Sequence, residues 1–177
     1  MAVINIEAPC FSMGVGGDSS PYIDEFAAAA GQTWHYGNVL TLANGVASVA
    51  AAAASPLLGI AMSECPYLTR TDLTRYPVCV FTSDSEFEMN VWADDTQALV
   101  TNSYVETTHR GVRYALAISG APNNVAYVVN IGSAASVFRI LRSAGGSAGG
   151  GKGIPGVTDA YQRVIVSVDP AALALSI

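Results

Sequence analysis

Positive charge is what this sequence has least of. Among 177 residues there is a single lysine, Lys152, and eight basic side chains face fourteen acidic ones, for a formal charge of −6. The seven arginines, Arg70, Arg75, Arg110, Arg113, Arg139, Arg142 and Arg163, are scattered and build neither a basic run nor a basic amphipathic helix. Neutralising phosphates takes clustered Lys and Arg, so direct contact with nucleic acid is not expected, nor attraction to an anionic membrane surface. Long apolar runs are missing too. The most apolar stretch, residues 46–62, is alanine-rich and interrupted by Ser48, Ser55 and Pro56, short of the roughly 20 apolar residues that span a bilayer. Residues 1–7 lack a basic segment leading into an apolar one, so the expectation is no secretory leader and folding in a cytoplasm.

Cysteine is scarce and odd in number. Cys10, Cys65 and Cys79 are far apart and include no C-x-x-C pair, a pattern that fits neither a secreted disulfide framework nor a zinc site. Buried or half-buried free thiols are predicted, with a Cys65–Cys79 bridge as the alternative that a reducing compartment disfavours.

What the chain does have is apolar surface to bury. Hydrophobic residues make up 51% and charged ones only 12%, which excludes a disordered chain and is enough for one ordinary domain or two small lobes. Strand signals dominate. Residues 39–42 and 46–49 are short β-favouring runs around Asn44-Gly45, a pair that accepts the positive φ angles of a tight hairpin. Ala50 to Ala54 suits a helix by propensity but is too short to hold one. Residues 57–62, LLGIAM, resemble a buried strand in which Gly59 permits a bulge or a close approach.

Residues 78–82 are β-rich, and 86–92 alternate, with Phe87, Met89 and Val91 on one face and Glu86, Glu88 and Asn90 on the other. Residues 114–118, 125–131, 137–141 and 161–168 continue at the intervals of a sandwich or barrel. Only residues 94–100 and 133–136 hint at helical turns, Ala134 and Ala135 fitting a connection equally well. The fold class expected is therefore mainly β, a short-strand barrel or sandwich. Residues 1–21 form an extended N-terminal arm, and the β-rich body covers 22–177 as two halves, 22–65 and 78–177, joined by 66–77. Serine and glycine fill residues 143–156, which predicts a flexible loop between two strands.

Each chemical motif has a plainer explanation. Gly146, four residues, Gly151 and Lys152 approach a phosphate-binding loop, but Gly153 stands where a Ser or Thr hydroxyl is required, and Ile154-Pro155-Gly156 cannot open the helix. Ser19 and Ser20 follow Gly17-Asp18, and His35 and His109 could serve as bases. No G-x-S-x-G elbow supports the serines, which lie in a glycine-rich arm. The two histidines have no ligand-spaced partner and suit turn positions bonded to backbone or water. Asp84, Glu86 and Glu88 recur every second residue, with Asp94 and Asp95 nearby, yet no D-x-D-x-D-G loop follows; a solvated face that deters edge-to-edge pairing is expected. Trp34, Tyr36, Tyr67, Tyr76, Trp92, Tyr104, Tyr114, Tyr127 and Tyr161 are dispersed as core or interface anchors. No catalytic, cofactor-binding or metal-binding residue is assigned.

One resemblance extends beyond the residues taken singly. Residues 31–62, GQTWHYGNVLTLANGVASVAAAAASPLLGIAM, resemble the head decoration, or cement, proteins of tailed bacteriophages, with their G-x-V-L hairpin, short NG turn, alanine-rich strand and closing GIA strand. Residues 84–92, DSEFEMNVW, and 163–170, RVIVSVDP, look similar to structural proteins of that kind. The resemblance implies a non-enzymatic virion protein, made in the host cytoplasm. It would dock on the capsid exterior and bridge major capsid subunits as a homo-oligomer, a trimer being favoured. Residues 1–21 would then serve as an intermolecular arm. The alternatives are a head fibre or minor virion protein touching host surface or carbohydrate, a serine hydrolase using Ser19 or Ser20, and an oligomeric β module of a bacterial envelope.

Overall fold

Short apolar and β-branched runs become strands throughout the computed structural model, which describes residues 10–14, 21–66, 74–92, 106–119, 126–135, 137–143 and 163–175. These are β1 (Cys10–Gly14), β2 (Ile23–Ala28), β3 (Val39–Ala43), β4 (Val46–Val49), β5 (Leu57–Ala61), β6 (Arg75–Val80), β7 (Ser85–Trp92), β8 (Arg113–Ser119), β9 (Ala126–Ala134), β10 (Phe138–Ser143) and β11 (Arg163–Val168). One helical turn, α1 (Glu106–His109), and a 3-10 turn at Pro170–Ala172 are the helical elements among the described residues. The chain is mainly β, as expected. The arm at 1–9 and 15–20, the helical turn at 94–100 and the glycine-rich stretch at 144–156 lie outside the described residues.

The strands form two closed rings of five. In the first the order is β2-β4-β3-β5-β6, and β6 returns to β2. In the second it is β7-β9-β8-β10-β11, and β11 returns to β7. Both rings have the same wiring: the first and third strands pair in parallel, and every other neighbouring pair is antiparallel. Closure leaves neither ring a free edge. β1 is an extra strand on β7. β11 occupies one edge of β7 along Glu86–Asn90, while β1 takes 85–88 of the other edge and β9 takes 90–92.

Local chemistry accounts for several of these choices. Asn44 (φ 53°) and Gly45 (φ 78°) both adopt the positive φ of a two-residue hairpin turn, which fixes Ala43 opposite Val46. Ala50 to Ala54 make a turn instead of a helix: Ala53 has φ 55°, and its N–H donates to the Leu116 carbonyl of the second ring at 2.8 Å. Ser133 and Ala134, expected to be helical or connecting, end β9, because pairing with β8 at Tyr114 overrides alanine's helix preference. Within 66–77, read from the sequence as a connection, residues 75–77 belong to β6; the chain passes from one ring to the other at 81–84.

Burial follows the strand period. Ala28, Trp34, Leu40, Ala47, Leu58, Ala61, Cys65 and Val78 fill the first ring, with the Trp34–Tyr76 pair edge-to-face at a centroid distance of 5.4 Å. Val39, Leu57, Ile60 and Cys79 point the other way and join one continuous cluster with the residues that fill the second ring, Phe87, Met89, Leu116, Phe138, Ile140, Val164 and Val166. This explains why all five residues of β5 are buried: one face lies inside a ring and the other against its neighbour. Phe81 completes the seam. Its N–H donates to Leu58 O at 2.9 Å, and its ring meets Phe87 edge-on with centroids 4.6 Å apart.

Gly59 is the tightest point of the first ring, since a Cβ there would sit 2.2 Å from the Cys79 carbonyl oxygen. Gly59→Ala therefore forces β5 and β6 apart and is expected to cost about 3 kcal/mol in urea unfolding. Gly45→Ala meets no atom within 4 Å and suffers only from its φ of +78°, about 1 kcal/mol. Equal losses would show that the β5–β6 approach is not limiting.

Candidate functional site

The sequence candidates do not converge. His35 pairs through Nδ1 with the Glu64 carboxylate on the rim of the first ring, both side chains being well exposed. His109 ends α1, its ring 6.0 Å from that of Tyr114. A carboxylate thus holds His35, where backbone or water was expected. Cys65 and Cys79 are buried thiols outside any disulfide, in agreement with the thiol prediction and not with a bridge. Ser19, Ser20, Lys152, Asp94 and Asp95 fall outside the described residues. Among the described residues no cluster of three His, Cys, Asp or Glu side chains could hold a metal ion.

The acidic repeat on β7 is not a solvated face. Glu86 forms an ion pair with Arg142 at 2.7 Å, and its side chain is only 13% exposed. Glu88 lies 2.6 Å from Nε of Arg163, whose side chain is 3% exposed and also donates from Nη2 to the Glu88 carbonyl at 3.2 Å. Asp84 falls in the turn before β7. Since β7 has neighbours on both edges, its carboxylates have no open edge to guard; they neutralise arginines instead.

Arginine and serine converge at a place the linear sequence hides. The pairing registers align Glu86, Ser167, Arg139 and Arg113 in one row across β7, β11, β10 and β8. Their strand neighbours Phe87, Val166, Phe138 and Tyr114 are buried, so the row lies on the outer side of the second ring. At its Arg113 end is a cleft of about 270 Å³ lined by Ser83, Arg113, Arg139, Ser167, Asp169 and Pro170. Ser83 belongs to the inter-ring connection, so the cleft opens where the two rings meet.

Asp169 organises one wall. Pro170 fixes the start of the 3-10 turn, and the Asp169 carboxylate caps it by accepting from Ala171 N–H at 3.0 Å. Its Oδ2 also lies 2.7 Å from Arg113 Nε, an ion-pair contact without the alignment of a hydrogen bond. Asp169 is nearly buried, whereas 44% of the Arg113 side chain remains exposed. The cleft is therefore a recess in which two guanidiniums and one carboxylate stand beside the apolar surfaces of Val168 and Pro170. Neither described histidine lines it. Sequence inspection missed it because Arg113, Arg139 and Asp169 are far apart in the chain; the available hint was that both arginines take the outward phase of strands whose alternate residues are apolar.

Among the described residues, burial accounts for two displaced ionisations. It pushes the Cys79 thiol from its ordinary 9.0 up to about 11 and raises the Tyr114 phenol above its usual 10.0. Comparison of the chain with protein-family models, curated proteins and solved structures finds no match.

Two outcomes follow from these pairs and shifts. Glu88→Gln removes the carboxylate that faces the buried Arg163 guanidinium and should cost about 2 kcal/mol, reduced by the partial exposure of Glu88. Glu86→Gln, facing the more exposed Arg142, should cost under about 1 kcal/mol in the same denaturation series. In alkali the unfolded Cys79 thiol loses its proton near its ordinary value while the folded one keeps it to about 11. The associated stability is thus complete below pH 9 and declines as pH rises toward 11, with Tyr114 acting in the same direction. Cys79→Ala should flatten this decline in a series of urea midpoints against pH.

Proposed function

We propose that this protein is a structural component of a phage virion, a decoration protein that binds the exterior of the head and bridges major capsid subunits without catalysing a reaction. The observation that carries the proposal is the architecture: two edge-free rings locked through one core, with a terminal strand added outside both. The closed rings themselves offer no edge for pairing with other copies, while their faces away from the seam can make contacts. The segment that carries the resemblance, residues 31–62, contains the β3–β4 hairpin and the doubly buried β5, the structural heart of the first ring.

A cement works by adding contacts that must break before neighbouring capsomers separate, so stabilisation grows with the number of symmetry-related copies engaged. Homo-oligomerisation, with a trimer favoured, suits a local symmetry axis. Residues 1–21 are proposed as the intermolecular arm; within them β1 closes neither ring but pairs with β7 of its own body.

The test is made on particles. Virions carrying the protein should contain it in stoichiometric amounts and release DNA at a higher temperature than particles lacking it, with the difference restored by adding the purified chain. Its absence from purified particles, or glycan binding without stabilisation, overturns the proposal; the second result would favour a head fibre. The chain lacking residues 1–20 should remain soluble and folded by circular dichroism yet lose capsid binding. Undiminished binding would remove the arm from the proposal.

A further inference from the structure

The cleft at the junction of the rings contains an electrostatic anomaly. Arg113 and Arg139 face each other directly across β8 and β10. Like charges in opposed cross-strand positions are unfavourable, and here they occur in a chain with a net charge of −6, where carboxylates are plentiful. Glu86, two strands away in the same row, is committed to Arg142, and Asp169 to Arg113. Arg139 is exposed and has no ion-pair partner among the described residues.

We propose that this cleft is a docking site for a carboxylate side chain of an acidic protein segment, with Arg139 as the recognising residue. Arg113 is a positioning and second cationic group, held in place by the buried Asp169. The Ser167 hydroxyl, next to Arg139 in the row, supplies a neutral donor, whereas Ser83 already donates to Asp84 at 3.1 Å. Guanidinium planes match the two oxygens of a carboxylate, and the incoming charge relieves the repulsion between the two arginines. A recess of about 270 Å³ is below the range of most small-molecule pockets but accommodates the end of an Asp or Glu side chain. The site's position on an outer sheet surface gives a protein segment access to it. The inference is independent of the virion proposal, which is tested on particles, so failure of one is distinguishable from failure of the other.

The experiment is a titration of the full chain, followed through arginine Nε–H resonances, with hexaglutamate and separately with inorganic phosphate at about 20 mM ionic strength, where screening is weak. Saturable shifts of the Arg113 and Arg139 signals by hexaglutamate are expected. Arg139→Gln should weaken binding by about tenfold or more with an unchanged melting temperature, and Arg139→Lys should restore only part of it. Saturation by phosphate without saturation by hexaglutamate overturns the proposal in favour of a small-anion site. Saturation by neither probe, or unaltered hexaglutamate binding by Arg139→Gln, overturns it outright.

Discussion

The structure depends on the apolar seam between its two rings. A five-stranded ring of short strands encloses little volume, and the first ring is filled by small residues such as Ala28, Ala47 and Ala61 beside Leu40, Leu58 and Trp34. It gains a second layer because Val39, Leu57, Ile60 and Cys79 on its outside are buried against the filling of the other ring. Phe81 connects the two, with aromatic contacts to Phe87 and Phe138. Removing apolar area from water is the dominant stabilising term in such a body, and here much of it lies between the rings as well as within them.

The seam also places the polar features. Because the second ring is filled by apolar side chains, its charged residues take the outward phase, with Glu86, Arg139 and Arg113 in one transverse row. Pairing then decides their fate: Glu86 and Glu88 neutralise Arg142 and Arg163, while Arg113 and Arg139 meet at the other end beside Asp169. The cleft is thus a product of register. A slip of one residue in β10 would turn Arg139 inward and Phe138 outward, so the core and the recess are specified by the same alignment.

Much of the strand layout was legible in the residues, and the reasons are local. Asn44-Gly45 dictates its hairpin, the alternation of residues 86–92 gives β7 its buried face, and the unbroken apolar run at 57–61 marks a strand covered on both sides. What escaped was non-local. β2, IDEFAA, has no convincing alternation and is held by pairing to β6 and β4; β1 is held by β7; the identical wiring of the two rings has no counterpart in repeated sequence. The cleft was hidden for the same reason, because Arg113 and Arg139 become neighbours only once β8 and β10 pair.

The pairing of β1 with β7 has a consequence for how the chain is made. Cys10 lies opposite Glu88, so β1 is synthesised before its partner and can pair only after all of β2 to β6 has followed it. The first ring, whose strands all lie between residues 23 and 80, can close while that leading segment is still unattached. On this ordering β1 is translated ahead of the first ring yet gains its partner only behind it.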